Sequence, residues 1–411
     1  MNDKTFMAWP SRILFGCGEL LSLAPLLQKQ RFRQALIVTD KFFTDQSDIV
    51  VRLMESLASH GIGSVIFDEG EPDPSVALCQ RAAERLSRVS ALADIDHVIA
   101  VGGGSNIDLA KVLSVTLKYG GHPADYVGEG KIPGKPLALV AVPTTSGAGS
   151  EITPGAILVQ ENSSTKVALM DNDLRPVTVV VDPLLTVSCP PKVTADAGID
   201  ALTHAIESYL TCDSMHFDRQ GLADPGYSGR NHITQLMAAE SIRLCFAHLP
   251  TAYRQGADVD ARIGMAYGSL LAAFSYANAG LNAVHALAYA LAGLTHASHG
   301  STNAVFLPYV MQSLLPVRER ELAHIGSLAG LTAASQSELA RKAVIATRDL
   351  VAQVGIPVTL KDFGVTKGDL AGLASNGLAV TRLVKAFPIQ PPRQAFEAIV
   401  ANAYAGKILT D

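Results

Sequence analysis

Four side chains in two distant segments have the types and spacing of metal ligands. Asp200 and His204 stand four residues apart in "GIDALTHAIESY", so that on a helix both point from one face toward a single cation. His285 and His299 stand fourteen apart within residues 263–317, a run without Asp, Glu, Lys or Arg. A buried imidazole needs a hydrogen-bond partner or a metal. One carboxylate and three imidazoles therefore predict a site for Fe(II), or alternatively Zn(II), rather than for Mg²⁺ or Ca²⁺.

A glycine-rich stretch, "VIAVGGGSNIDLAK", has the pattern of a strand that runs into a turn and then a helix. Gly102, Gly103 and Gly104 allow the backbone to approach a ligand without a Cβ atom in the way. Ser105 followed by Asp108 has the spacing of a capping box at a helix start. Free N–H groups at such a start bind a pyrophosphate well, so the stretch predicts a dinucleotide contact, with a plain tight turn as the alternative.

Two further strand ends carry polar groups suited to a dinucleotide. The segment "AVPTTSGAGSE" places Thr144, Thr145, Ser146 and Gly147 directly after an apolar strand, where they offer hydroxyl and amide donors at the sheet edge. Asp40 ends the strand "ALIVTD". A carboxylate there accepts hydrogen bonds from the adenosine ribose and repels a 2′-phosphate, which predicts NAD rather than NADP.

Two kinds of structure must position these groups. The first half of the chain alternates β-branched runs with helical stretches at 75–90 and 105–119, which is typical of a parallel or mostly parallel α/β sheet. The predicted strands are 34–40, 63–69, 97–104, 137–145 and 177–183. From about residue 192, after Pro190 and Pro191, Ala and Leu recur at helical spacing. We therefore predict an α/β dinucleotide-binding domain at 1–190 and an all-helical metal and substrate domain at 191–411.

The composition limits the class of partner. The chain has 411 residues, 48% hydrophobic and 17% charged, and a formal net charge of -5, which disfavours nucleic acid and anionic membranes and favours a small-molecule ligand. Five scattered cysteines without a C-x-x-C pair, and no secretory signal pattern, predict a cytoplasmic protein. Run 263–317 could hold two ~20-residue membrane spans, but its His, Asn and Ser residues predict buried core helices instead. The hydrophobic content indicates a homodimer or higher homo-oligomer.

The motifs "GGGSNIDLAK", "PTTSGAGSE", "GIDALTHAIE" and "VHALAYALAGLTHASHG" together resemble the iron-containing alcohol dehydrogenase family, the metal-dependent group III dehydrogenases, over essentially the whole chain. The resemblance implies an α/β dinucleotide-binding domain and an all-α metal-binding domain, as in dehydroquinate synthase, with the cofactor cleft between them. It implies metal ligands at Asp200, His204, His285 and His299. It also implies dinucleotide contacts, which are Asp40, Gly102 to Ser105, Asp108, Thr144 to Ala148 and Lys166.

The chain departs from that family on the substrate side. Many relatives have a histidine four residues after the third ligand, whereas this chain has Tyr289, whose phenol could donate a hydrogen bond to a substrate oxygen. Tyr289 and His285 are therefore the catalytic candidates. Asp73 stands where relatives often carry Asn near the nicotinamide.

An insertion at 211–233 is the second departure. It resembles a segment of the hydroxyacid-oxoacid transhydrogenase branch, which also has Tyr at the position of Tyr289. Its Arg219 and Arg230 are predicted either to clamp a carboxylate or phosphate or to lie in a solvated surface loop.

Several functions are compatible with these motifs. The main prediction is an NAD-dependent, divalent-metal-dependent alcohol dehydrogenase or aldehyde reductase that acts on an alcohol or a short hydroxyacid. The alternatives are a hydroxyacid-oxoacid transhydrogenase and a maleylacetate reductase-like enzyme, in which the metal need not take part. A dehydroquinate synthase-like lyase is disfavoured because few Lys or Arg residues lie near the metal motifs. Metal storage without catalysis is disfavoured because it leaves the Gly-rich and Thr-rich strand ends without a role.

Overall fold

A computed structural model describes residues 5–88, 94–160 and 166–408. The chain divides into two compact units. Of the described residues, the α/β unit contains those within Ala8–Thr145 and Gly149–Ser188, and the helical unit contains 5–7, Ser146–Ala148 and 189–408. The Thr-rich segment at 144–147 is therefore divided between the two units. Thr144 and Thr145 belong to the α/β unit, and Ser146 and Gly147 belong to the helical unit.

Parallel strands form the main sheet of the α/β unit. The strands are β1 (Arg12–Phe15), β2 (Gln34–Val38), β3 (Gly63–Phe67), β4 (His97–Gly102), β5 (Gly128–Glu129), β6 (Ala138–Pro143), β7 (Gly155–Val159), β8 (Lys166–Met170) and β9 (Thr178–Val181). Six of them form one sheet in the order β1-β9-β6-β4-β2-β3, and each neighbouring pair is parallel. The predicted parallel sheet is confirmed. A smaller sheet, β5-β8-β7, in which β7 and β8 are antiparallel, was not predicted.

Helices cover both faces of the six-stranded sheet. They are α1 (Leu23–Lys29), α2 (Lys41–Asp45), α3 (Ile49–Ser59), α4 (Val76–Leu86) and α5 (Gly104–Tyr119). Side chains alternate along each strand, so Leu36 and Val38 join one buried cluster with α4 and α5, while Ala35 and Ile37 join another with α1 and α3. The predicted helix 75–90 ends at Leu86, and residues 89 and 90 lie outside the described residues.

Lys111 is a fully buried cation on α5. Its Nζ donates hydrogen bonds to the carbonyl and hydroxyl oxygens of Thr153, both at 3.0 Å, and to the carbonyl of Gly155 at 2.5 Å. Burial lowers the pKa of Lys111 to about 8, although Asp108 opposes that shift. The ammonium group therefore ties the start of β7 to the helix that follows the glycine turn.

We expect the Lys111→Met variant to lose about 3 kcal/mol of unfolding free energy, because two buried carbonyl groups lose their donor. Urea unfolding followed by circular dichroism measures the loss. Lys118→Met is the matched control on the same helix: Lys118 is exposed and donates to the carbonyl of Lys135 at 2.6 Å, so its loss should cost less than about 1 kcal/mol. Equal losses in the two variants would contradict a structural role for Lys111.

As the sequence predicted, the described residues of the helical unit form helices, and all the strands β1 to β9 lie in the α/β unit. The helices are α6 (Pro191–Leu210), α7 (His232–Arg254), α8 (Val259–Ala279), α9 (Ala283–Thr295), α10 (His299–Leu328), α11 (Gln336–Gln353), α12 (Leu370–Ala379), α13 (Thr381–Val384) and α14 (Arg393–Ala405). Helix α6 packs against α7, α8 and α10. Helix α10 bends at Arg318, which has φ −135° and ψ 27° and follows Pro316.

The uncharged run 263–317 forms most of α8, all of α9 and the first part of α10. Buried Ala, Leu and Val residues dominate it, as expected of core helices. None of the helices in the described ranges has the length and hydropathy that a membrane crossing requires.

Candidate metal centre

Helix α6 brings Asp200 and His204 together. They lie one turn apart on the same face and both are buried, with Asp200 Oδ1 3.7 Å from His204 Nε2. Asp196 lies one turn earlier on that stripe, but its carboxylate accepts hydrogen bonds from Lys192 and from Ser298 and Ser301. Asp196 is therefore bound by these donors, while Asp200 faces the imidazoles.

His285 is positioned by Glu207, a residue that the sequence did not single out. Glu207 Oε2 lies 2.5 Å from His285 Nδ1, and Glu207 Oε1 accepts hydrogen bonds from the backbone N–H groups of Asn282 and Val284 at 3.1 and 2.8 Å. The same carboxylate thus caps the start of α9 and binds the Nδ1 side of the ring. His285 Nε2 is left facing the site, 3.1 Å from His204 Nε2 and 3.7 Å from Asp200 Oδ1.

His204 is fixed from its other edge and from one face. Its Nδ1 lies 3.1 Å from the carbonyl oxygen of Gly147, and its ring stacks on Tyr276 with centroids 4.0 Å apart. Gly147 has no room for a side chain, because a Cβ atom there would lie 2.3 Å from the carbonyl oxygen of Ala197. The close approach of this glycine to α6 therefore sets the orientation of a predicted metal ligand.

His299, the fourth predicted ligand, lies near the same carboxylate. It is the first residue of α10, and its Nε2 lies 3.9 Å from Asp200 Oδ1. Asn303, one turn later, places its Nδ2 2.8 Å from Asp200 Oδ1 and 3.2 Å from the Nε2 atoms of both His285 and His299. Ligand atoms of Asp200, His204 and His285 all lie within 4.8 Å of one another.

The electrostatics of this group favour a cation. The surrounding imidazoles hold the pKa of Asp200 below its usual range although burial opposes this. Burial lowers the pKa of His204 to about 4, so its ring is neutral at neutral pH. Burial would also lower the pKa of His285, but Glu207 and Asp200 raise it to about 9. A carboxylate and imidazole nitrogens that face one another need protons or a metal between them, and this donor set fits Fe(II) or Zn(II).

We expect Glu207→Gln to weaken Zn(II) binding by roughly tenfold while the fold is retained, because an amide still accepts one backbone hydrogen bond but no longer holds His285 by a charge. Competition with a chromogenic chelator measures the affinity. Glu240→Gln is the matched control, since Glu240 lies exposed on α7 and pairs with Arg243 at 2.6 Å. A Glu207→Gln protein with the wild-type affinity for Zn(II) would show that the carboxylate does not strengthen metal binding by His285.

The glycine turn and the Thr-rich segment lie together in the α/β unit. Thr144 donates its backbone N–H to the carbonyl of Gly102 at 3.1 Å, and a Cβ atom at Gly103 would lie 3.5 Å from the Thr145 hydroxyl. Gly102 has φ 144°, a conformation that suits glycine, and Gly103 is the N-cap of α5. These predicted dinucleotide residues therefore meet at the carboxyl ends of neighbouring strands β4 and β6.

The predicted Ser105–Asp108 capping box is wrong. Helix α5 already begins at Gly104, and the Ser105 hydroxyl instead accepts the backbone N–H of Asp73 at 3.1 Å. Asp108 is buried and accepts the backbone N–H of Ile157 at 2.9 Å. Lys166 lies 2.7 Å from Asp73. The dinucleotide roles of Ser105, Asp108 and Lys166 remain predictions.

Asp40 lies at the carboxyl end of β2. Its carboxylate caps α2 by accepting the backbone N–H of Phe42 at 2.9 Å, and it accepts Asn106 Nδ2 at 2.7 Å. Asn106 also fills the space beside Gly102, where an added Cβ would lie 2.1 Å from its amide nitrogen. Asn106 therefore links the predicted ribose-binding carboxylate to the glycine turn, a role that no sequence motif revealed.

Tyr289 lies one turn beyond His285 on α9. Its ring faces that of His299, with centroids 5.7 Å apart and an interplanar angle of 29°. Burial raises the pKa of Tyr289 to about 12, so the phenol is a hydrogen-bond donor and not a proton carrier near neutral pH. Its position beside the predicted ligands is that expected from the sequence, while its catalytic role remains a prediction.

The predicted anion clamp at Arg230 is contradicted by its contacts. Arg230 pairs with Asp213 and Glu321, each at 2.8 Å, and donates to the carbonyl of Tyr209 at 2.9 Å. A buried arginine needs carboxylate and carbonyl partners of this kind. The guanidinium of Arg230 therefore joins segments of the helical unit to one another and is not available to bind a substrate anion. Arg219 remains a prediction.

Known proteins resemble this chain over nearly all its length. A family model described as iron-containing alcohol dehydrogenase matches residues 10–183, and one for the C-terminal part of the Fe-containing alcohol dehydrogenase family matches residues 226–404. Long-chain-alcohol dehydrogenase 1 of Geobacillus thermodenitrificans is 35% identical over 399 residues, which are 96% of this chain and 95% of that protein.

Solved structures agree with the sequence matches. A 1,3-propanediol oxidoreductase has a TM-score of 0.89 at 30% identity and covers 98% of this chain and 100% of its own. A sulfoacetaldehyde reductase from Bifidobacterium kashiwanohense, solved in complex with NAD+, has a TM-score of 0.85 at 25% identity with the same coverage. The predicted fold is confirmed.

Proposed function

This chain belongs to the iron-containing alcohol dehydrogenase family, and we propose that it is an NAD-dependent alcohol dehydrogenase, working also as an aldehyde reductase, whose divalent ion is bound by Asp200, His204, His285 and His299. The observation that carries the proposal is the convergence of the first three on one point, with Glu207 oriented behind His285. A buried carboxylate beside two imidazoles has no packing role of its own, and it fits a transition-metal ligand set.

Residues of the helical unit would hold and orient an alcohol for the reaction. When bound, the divalent ion supplies a Lewis acid for the alcohol oxygen and NAD supplies the hydride acceptor. Tyr289 would donate a hydrogen bond to the substrate oxygen, because its phenol stays protonated at neutral pH. Asp200, His204 and His285 are buried, which limits the access of water and so strengthens each electrostatic contact there.

We propose NAD rather than NADP as the nucleotide, bound through Asp40, Gly102 to Ser105, Asp108, Thr144 to Gly147 and Lys166. The supporting observations are the meeting of the glycine turn with Thr144 and the position of Asp40 at a strand end. A similar protein, the sulfoacetaldehyde reductase, was solved with NAD+. Fe(II) is the proposed ion and Zn(II) the alternative, since both accept these ligands.

We also propose that the enzyme is a cytoplasmic homo-oligomer. Cys17, Cys79, Cys189, Cys212 and Cys245 are all free thiols, which suits a reducing compartment. Light scattering after size exclusion measures the assembly.

A metal-reconstitution assay tests the function. Protein stripped with a chelator and reloaded anaerobically with Fe(II) or Zn(II) is given short alcohols, and NADH is followed by absorbance. We expect steady NADH formation that depends on the ion. Turnover that survives removal of the ion by a chelator would favour a maleylacetate reductase-like enzyme. Turnover that needs an added oxoacid as the hydride acceptor, instead of free NAD, would favour a transhydrogenase.

A further inference from the structure

Arg382 is a half-buried cation beside the metal centre, and no sequence motif pointed to it. It lies on the short helix α13. Its guanidinium stands over the ring of Tyr227, 5.7 Å from the centroid, and faces the hydroxyl of Tyr289. Because the ring of Tyr289 lies against His299, one side chain separates this cation from a predicted ligand.

The guanidinium has few partners for its charge. Within the described part of the chain, no carboxylate forms an ion pair with Arg382. Its hydrogen-bond partners are two phenols, Tyr227, whose Oη lies 3.3 Å from Nη1, and Tyr289. A guanidinium carries five N–H donors, so most of them remain for a ligand. Arg230 and Arg318 of the same unit both pair with Asp213, which shows the usual arrangement for an enclosed arginine. An enclosed cation without a carboxylate costs free energy unless an anion binds it.

The insertion at 211–233 holds this cation in place. The Thr211 hydroxyl and the Cys212 backbone N–H both donate to the carbonyl of Ala386, at 2.8 and 2.9 Å. Lys385 Nζ stands 5.3 Å from the centroid of Phe217, just as Arg382 stands over Tyr227. The insertion therefore packs on the segment that carries Arg382, and it supplies one of the two phenols that contact the guanidinium.

We propose that Arg382, with the hydroxyl of Tyr227, binds a carboxylate at one end of the substrate while the alcohol at its other end reacts at the metal centre. A planar guanidinium matches a carboxylate with two parallel hydrogen bonds, and the Tyr227 phenol can donate a further bond to it. The substrate class is therefore an ω-hydroxycarboxylate or the matching aldehyde acid. This inference rests on the proposed function for the reaction itself, but the binding of the anion does not.

Two measurements on the metal-loaded protein test the proposal. The first compares kcat/KM for ω-hydroxycarboxylates of three to six carbon atoms with that for neutral primary alcohols of the same length. We expect Arg382→Gln to lower kcat/KM at least about tenfold for the best hydroxycarboxylate, through KM, and less than about threefold for the neutral alcohol. Lys385→Gln is the matched control. It removes a neighbouring positive charge and should leave the ratio of kcat/KM for the hydroxycarboxylate to kcat/KM for the neutral alcohol unchanged.

The second measurement is calorimetric titration with glutarate, which needs no turnover. We expect wild type and Lys385→Gln to bind it alike, Arg382→Gln to bind it at least about tenfold more weakly, and Arg382→Lys to fall between them. Glutarate binding that depends on Arg382 in a protein without alcohol turnover would overturn the proposed function and leave the anion site standing. Equal loss for charged and neutral substrates, or glutarate binding unaffected by Arg382→Gln, would overturn the anion site.

Discussion

The His285→Ala variant is expected to lose its divalent ion and to oxidise alcohols on the order of 10³-fold more slowly than wild type, because Lewis-acid stabilisation supplies several kcal/mol to such a reaction. The substitution removes the ring nitrogen that lies 3.1 Å from His204 Nε2 and 3.7 Å from Asp200 Oδ1. Glu207 keeps its two backbone donors at Asn282 and Val284, so the start of α9 should persist. Metal content by mass spectrometry and NADH formation measure the two effects.

His296→Asn is the matched control for His285→Ala. His296 belongs to the same uncharged run, but it is exposed and lies outside the ligand group. Its φ of 56° is a left-handed conformation that asparagine tolerates better than most residues. We expect this variant to keep its ion and its turnover. A His285→Ala protein that is folded by circular dichroism, free of metal and fully active would contradict the proposed chemistry.

The Asp40→Ser variant is expected to change the nucleotide preference, raising kcat/KM for NADP relative to NAD on the order of 10²-fold, because like charges brought together cost several kcal/mol. Serine is a good helix N-cap, so the hydrogen bond from Phe42 N–H should survive. The charge that would repel a 2′-phosphate is removed while α2 keeps its start. Initial rates with each nucleotide at saturating alcohol measure the ratio.

Asp45→Ser controls for the general loss of a negative charge, since Asp45 is the exposed last residue of the same short helix. It should leave the ratio of the two kcat/KM values near that of wild type. If both variants shift the ratio equally, the preference arises from the overall field of the protein and not from Asp40.

Residues that recur at fixed spacing were predictable from the sequence. The pair Asp200 and His204 follows from helix periodicity, and the uncharged run around His285 indicated a buried site. The parallel sheet followed from β-branched runs that alternate with helical stretches. Helix α5 starts one residue before the predicted stretch 105–119 because the positive φ of Gly102 turns the chain before Ser105.

Groups that act across long stretches of chain were not predictable. Glu207 reads as an ordinary helix residue, and its contact with His285 spans 78 residues of sequence. The contact of Arg382 with Tyr227 spans 155 residues. The role of Arg230 likewise depends on a distant residue, since its partner Glu321 lies 91 residues away. Nothing local to these residues encodes their neighbours, which only the packing of the helices brings together.

The double use of Glu207 restricts which ligand sets this protein could acquire by mutation. One of its oxygens serves two backbone amides and the other serves the ring at position 285. An Asp or Glu introduced at 285 would oppose a second negative charge without water to screen it, so acidic exchanges there require a simultaneous change at 207. A cysteine ligand binds as the thiolate and meets the same conflict, whereas a neutral ligand such as Asn escapes it. Conversion of the centre to a harder ion through a carboxylate, or to a softer ion through a thiolate, should therefore proceed through paired substitutions at 285 and 207.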